Sequence, residues 1–350
     1  MRLSFIIPVY NAADHIKACT DSIFRLSEFD PKLSYELVFI DDGSTDDSLK
    51  LLEEIKESRS GMAPVTIFQQ ENHGVSFARN KGIELSNYEY IIFADADDTF
   101  DSKLLFDAIK AQDMYPDIDL IAYGISFDYY LKGVLYREDE ILPPYSAVIK
   151  SDEWKQDMYR LFTSNVLSSL WNKIIRKSIL TDHNIILDED MIIYEDLQFS
   201  LDLMKYCDSI LFIQEPVYHY KQFEDHAGKR LHRISHLYTV IGKIDKSLSY
   251  IDEAQKRSIL VLLYRYLISE KVRTASLADV TTICRDFRRW IDHKSYQSYI
   301  DNNKYLEKVY MQKALWIYTK GKYSYVRHRF ANYIKLILHI EEQRNFDADK

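Results

Sequence analysis

The order of apolar runs in this chain predicts an α/β fold, a mostly parallel sheet flanked by helices, followed by a C-terminal helical appendage. Three observations predict it. Four short runs rich in Ile, Val and Phe, at residues 3–9, 36–40, 65–69 and 90–94, have the length and composition of strands. Between them apolar residues recur at helical spacing: Ile16, Cys19 and Ile23, then Leu49, Leu52 and Ile55, then Ala78, Gly82 and Leu85. From about His232 strand signals give way to long helical patterns dense in Tyr, Lys and Arg. An alternation of strands and helices makes a parallel sheet, because each helix carries the chain back to the same end of it.

Composition narrows the function. The chain has 350 residues, 47% of them apolar and 28% charged, which is globular and leaves room for one large domain and an appended one. We expect residues 1–220 to form the first and 221–350 the second. A net charge of -9 argues against a nucleic-acid binder, which needs a surplus of Lys and Arg on one face. Cys19, Cys207 and Cys284 have neither metal-ligand nor redox spacing and read as free thiols of a reducing compartment. The short N-terminal apolar run contains Pro8 and is unlike a signal peptide. No run of about 20 apolar residues occurs, so a cytoplasmic protein is expected, at most peripheral on the inner face of the plasma membrane.

Each strand ends in a polar cluster. Tyr10-Asn11 follows the first, Asp41 to Asp46 the second, Asn72-His73-Gly74 the third, and Asp95-Ala96-Asp97-Asp98 the fourth. In open parallel sheets ligands gather at the carboxyl ends of the strands. Plain capping would explain parts of this: Ser44 or Thr45 could cap the helix through Leu52, and Asp97-Asp98 the helix that begins near Lys103. Capping does not require four polar loops on one sheet edge. Three carboxylates within four residues repel one another unless something positive shares the site. Neither a Gly-x-Gly-x-x-Gly nor a Gly-Lys-Ser/Thr loop is present, so phosphates are expected to be held through a hard cation, Mn²⁺ or Mg²⁺, rather than in a backbone cradle.

Ser4 to Asn11, Phe39 to Asp46, Asn72 to Gly82 and Phe93 to Asp98, in that order and spacing, resemble the family 2 glycosyltransferases of the GT-A fold. The resemblance covers roughly residues 1–220. It implies an inverting transferase taking a hexose or N-acetylhexosamine from a UDP-sugar to a glycan or lipid-linked acceptor, for instance in capsule or O-antigen synthesis. It places Pro8, Tyr10, Asp42, Asn72 and Arg79 at the nucleoside, Asp95 at the ribose and Asp97 on the metal. Trp171-Asn172-Lys173 resembles the segment that family members set beside the acceptor. Glu195-Asp196 resembles the motif that supplies the base, Asp196 being the base itself; as an acidic pair before Leu197, Leu201 and Met204 it also reads as a helix start.

The chain departs from the family pattern after residues 217–220, where Lys221 stands in place of an Arg and His226 follows, either of them a candidate for the diphosphate and His226 for the metal. No Gln-x-x-Arg-Trp occurs, which disfavours processive synthesis. Residues 314–340 carry Lys320, Lys322, Arg327, Arg329 and Lys335 among aromatic residues and no acid. A membrane surface, a partner or the protein's own core would each suit that stretch, and a homo-oligomer is a further expectation. The reading from another class is a GT-A scaffold protein that binds without turnover. Retention of Asp42, Asp97 and Asp196 favours the enzyme.

Overall fold

A computed structural model describes residues 1–191, 193–223, 234–260 and 262–263. The chain opens with β1 (Arg2–Val9), α1 (Ile16–Phe24), α2 (Leu26–Phe29), β2 (Ser34–Asp41), α3 (Ser48–Ser58), β3 (Val65–Gln69), α4 (Val75–Leu85) and β4 (Tyr90–Phe93). The strands stand in the order β3-β2-β1-β4 and every pair among them is parallel. All four expected strands and the three expected helices are present. β1 and β2 read as continuous apolar runs because neighbours flank both edges and helices cover both faces, leaving Phe5, Ile6, Ile7, Val38 and Phe39 fully buried. Gly82 lets α4 lie on β1, since a Cβ there would stand 2.2 Å from the Ile6 side chain.

The second half departs from the parallel plan. It continues with β5 (Thr99–Phe100), α5 (Ser102–Ala111), β6 (Leu120–Leu131), β7 (Val134–Ile141), β8 (Val148–Lys150), α6 (Ser151–Gln156), α7 (Met158–Thr163), β9 (Lys173–Arg176), α8 (Lys177–Asp182), α9 (Glu195–Met204), β10 (Ser209–Gln222) and α10 (Ile234–Ser247). β9 enters antiparallel between β4 and β6, β10 runs parallel to β6, and β5, β7 and β8 add antiparallel pairs. The sheet is therefore a mixed one of ten strands whose first four are parallel. Register shifts in β10 flank Pro216, which has no N–H to give the ladder.

The chain divides into two compact units, Met1–Lys229 with Lys246–Asp252, and Arg230–Asp245 with Glu253–Lys350. In the second, α10 and the helical residues 253–260 agree with the expected helical character, and Lys256 pairs with Asp245 at 3.0 Å. The basic aromatic stretch 314–340 and His226 lie outside the described residues. Among those residues no helix is long and apolar enough to cross a membrane.

Candidate functional site

A cleft of about 1020 Å³ opens at the carboxyl ends of the parallel strands. One wall is lined by Pro8 near the end of β1, Tyr10 and Asn11 after it, Asp42 after β2, Asn72 to Ser76 and Arg79 around the start of α4, and Asp95 to Asp97 after β4. The other carries Ser169, Trp171, Glu189, Met191, Glu195, Asp196 and Tyr220.

The polar loops of the first wall brace one another. The Asn11 N–H donates to Ser44 Oγ at 3.0 Å, the Thr45 N–H donates to Asn11 Oδ1 at 2.8 Å, and the Ala12 N–H donates to Ser48 Oγ at 2.8 Å. The expected capping role of Ser44 or Thr45 is thereby corrected: α3 begins at Ser48 after Asp47, and the two hydroxyl residues tie the loop after β2 to the loop after β1. Asp42 is buried and accepts from Gln70 Nε2, the His73 N–H and the Gly74 N–H, each at 2.8 Å. Gly74 takes a φ of 92° to present that N–H, a backbone conformation natural to glycine. A carboxylate has about four acceptor positions, so Asp42 keeps one for a ligand after organising this loop. Tyr10 and Asn72 stand exposed in the cleft, which suits their expected place at the nucleoside.

The acidic triplet is sorted by its surroundings. Arg79, 4% exposed, donates from Nη2 to Asp95 Oδ1 at 2.8 Å and from Nη1 to Asp196 Oδ1 at 2.9 Å. Burial works against its charge, but Asp196 and then Asp95 more than offset that and hold its pKa above the usual arginine value. The guanidinium is thus the positive partner that the crowded carboxylates demanded, and it ties the two walls together. Asp98 is fully buried, accepting from the Tyr218 hydroxyl at 2.9 Å and the Lys221 N–H at 2.8 Å. Burial, with Asp95 and Asp97 behind it, raises its pKa well above the carboxylate range. Asp98 therefore belongs to the core, and the cap of α5 is Asp101, which accepts from the Lys103 and Leu104 N–H groups, not the Asp97-Asp98 pair.

Asp97, the third carboxylate of the triplet, lines the cleft. Among the described residues no three His, Cys, Asp or Glu side chains form a ready-made metal cage. One hard oxygen ligand beside space for phosphates nonetheless fits Mg²⁺ or Mn²⁺, ions that commonly take one or two carboxylates and complete their shell from the substrate.

On the second wall Glu195 and Asp196 form the first turn of α9, as expected, with acids at the positive end of the helix. Tyr194 precedes them in a left-handed conformation, φ 62°, rare for a bulky residue. Trp171 lies flat on Tyr218, ring centres 4.5 Å apart, and on Tyr220 at 5.3 Å, with interplanar angles of 15° and 6°. Asn172 and Lys173 do not share that place. Both are fully buried and neither lines the cleft: Trp171 and Asn172 lie in the turn before β9, and the Asn172 and Lys173 side chains turn together into carbonyl groups behind the wall. Asn172 Nδ2 donates to Val166 O at 2.9 Å, and Lys173 Nζ donates to the same oxygen at 3.0 Å.

Lys221 is also corrected. Tyr218 and Tyr220 face Trp171, so the alternation of β10 sends His219 and Lys221 to the opposite face, where they line a separate cavity with Asp128 and Tyr130. There His219 Nδ1 meets Asp128 Oδ2 at 2.9 Å, a bond that raises the histidine pKa. Sequence reading overlooked Tyr218, Tyr220, Glu189 and Met191. For the tyrosines a signal existed in their period of two within residues 217–220; the other two lie on a loop without a pattern.

A family model described as Glycosyl transferase family 2 matches residues 4–181. The uncharacterized glycosyltransferase EpsJ of Bacillus subtilis (strain 168) is 25% identical over 222 residues, 63% of this chain and 61% of that protein, so this chain spans less than two thirds of its length. Among solved structures, Staphylococcus aureus TarS 1-349 in complex with UDP-GlcNAc superposes with a TM-score of 0.62 at 18% identity, covering 98% of this chain and 92% of that one. Its complex with UDP gives 0.58 at 22% identity, over 77% and 72%. At such identities the superpositions establish the fold.

Proposed function

The chain belongs to glycosyl transferase family 2, and from that premise we propose that it is an inverting transferase moving a hexose or N-acetylhexosamine from a UDP-sugar to a hydroxyl of a glycan or lipid-linked acceptor. Synthesis of a cell-surface polysaccharide is the setting we propose for it. The observation that carries the reading is the Arg79 bridge, which sets Asp196 in the same cleft as Asp95, Asp97 and the loops after the parallel strands. The complexes of TarS with UDP and UDP-GlcNAc support the choice of donor class.

In this reading Tyr10, Asp42 and Asn72 hold the uridine, with the remaining acceptor position of Asp42 turned to the base. Asp95 receives the ribose. Asp97 would hold a Mn²⁺ or Mg²⁺ ion, which would supply neutralisation of the charge that builds on the diphosphate. Asp196 takes the proton of the acceptor hydroxyl as that oxygen attacks the anomeric carbon from the face opposite the diphosphate, so the configuration inverts. Arg79 engages Asp196 Oδ1, which orients the carboxylate. Trp171, flat against two tyrosines, offers the acceptor an aromatic wall.

A panel of UDP- and GDP-sugars, assayed for nucleotide release with and without Mn²⁺, tests the proposal. It expects release from one UDP-hexose or UDP-N-acetylhexosamine that depends on the ion and on acceptor. Turnover of no nucleotide sugar on the panel would overturn it.

A further inference from the structure

The segment that carries Ser169 and Trp171 into the cleft hangs from a buried ammonium. Lys173 Nζ donates to Val166 O at 3.0 Å, to Asn172 Oδ1 at 2.8 Å and to the Ser169 carbonyl oxygen, so three donors meet three acceptors. Asn172 Nδ2 adds bonds to Val166 O and, at 3.3 Å, to Tyr123 O. From β6 the Tyr123 hydroxyl donates to Trp171 O at 2.8 Å. Asn172 O in turn accepts from the Tyr123 N–H at 3.1 Å. Every one of these groups lies behind the wall, and the wall's face is Ser169 and Trp171.

We propose that Lys173 is a positioning residue, whose ammonium gathers the carbonyls of Val166 and Ser169 and the Asn172 amide and so sets the wall against which an acceptor sugar packs. The arrangement of the wall stands on these contacts alone; that a sugar acceptor uses it rests on the transferase reading above. An ammonium has three protons to give and a neutral amine two, so loss of the proton removes one of the three bonds that gather the segment and frees part of it. Burial pushes the Lys173 pKa down to about 7, only partly opposed by the charge of Asp196 on α9. From β6 the titratable group of this network is the Tyr123 phenol, bonded to Trp171 O and kept neutral by burial, and residues 166–169 contribute carbonyl oxygens. The wall is therefore expected to loosen as pH rises through neutrality.

Full-length protein labelled with 5-fluorotryptophan tests this, the Trp171 fluorine resonance being assigned by its loss in Trp171→Phe. In the unsubstituted protein that resonance should titrate with a midpoint near 7. Lys173→Met should displace it and abolish the titration. Tyr123→Phe, which removes the hydroxyl bond to Trp171 O and little else, should displace it while keeping the titration, so the test stands even if Lys173→Met fails to fold. UDP, used as the probe of the other wall, should bind all three proteins within about twofold of one another. A Trp171 resonance that is flat between about pH 6 and 9 in the unsubstituted protein, and unmoved in both variants, would overturn the proposal. Failure of every nucleotide sugar to turn over would instead remove the transferase reading and leave the resonance result standing.

Discussion

The two walls of the cleft are built by opposite means. The wall from residues 1–97 consists of loops that directly follow four parallel strands, and its polar side chains hold neighbouring loops: Asn11 meets Ser44 and Thr45, and Asp42 meets His73 and Gly74. The wall from residues 169–220 is assembled from distant segments. Trp171 stands where it does because Tyr123 takes its carbonyl and Tyr218 and Tyr220 take its ring. On the first wall most motif residues face the ligand space. On the second, part of the motif is spent on holding the rest in place.

That contrast can be broken by substitution. The largest effect is expected on the first wall: Asp97→Asn removes a charged oxygen ligand at constant shape, and ion-dependent turnover should fall by about two orders of magnitude or more with an unchanged melting temperature. Undiminished turnover would take Asp97 out of the reaction. Next comes the residue shared by both walls. Arg79→Met strands two carboxylates, and chemical denaturation should show a loss on the order of 3 kcal/mol together with lost activity. A variant as stable as the parent would mean that the bridge does not join the walls.

Two asparagines sharpen the comparison further. Asn172→Ala leaves Val166 O and Tyr123 O without their amide donor and should cost about 2 kcal/mol of stability. Asn72→Ala, exposed in the cleft, should stay within about 0.5 kcal/mol of the parent and weaken UDP binding instead. Equal losses of stability at the two positions would erase the distinction between the walls. The smallest effect is a slope. With Lys173 lowered to about 7 in the fold and near 10.4 when unfolded, the unfolded chain binds more protons across that interval, so this residue's contribution to stability rises with pH. The parent should gain on the order of 1 kcal/mol per pH unit relative to Lys173→Met between about pH 8 and 9. Parallel stability curves would contradict it.

The difference between the walls also explains what the sequence disclosed. The four parallel strands and their loops were legible because each is a local pattern, a run of Ile, Val and Phe ended by polar residues, and α9 because its acids precede a helical stripe. The antiparallel insertion of β9 between β4 and β6 was not, since short apolar runs carry no mark of their partners. The same non-local packing misdirected three site assignments. Asn172, Lys173 and Lys221 are polar residues in or beside motifs, but the turn before β9 directs the first two into buried carbonyls and the alternation of β10 turns Lys221 away from the cleft. Asp98, whose place beside Asp97 suggests a helix cap, is a buried acceptor for Tyr218, 120 residues distant in sequence.

We propose that both walls serve one reaction, with the first holding the nucleotide and Asp196 on the second removing the acceptor's proton. Asp196→Asn tests it most directly, since the amide keeps the shape of the side chain and an oxygen for Arg79 while losing the base. Calorimetry with UDP and Mn²⁺ should give an affinity within about threefold of the parent while transfer from the nucleotide sugar falls by about three orders of magnitude. Transfer at the parental rate would contradict the account, and loss of UDP binding without unfolding would move Asp196 to the donor site.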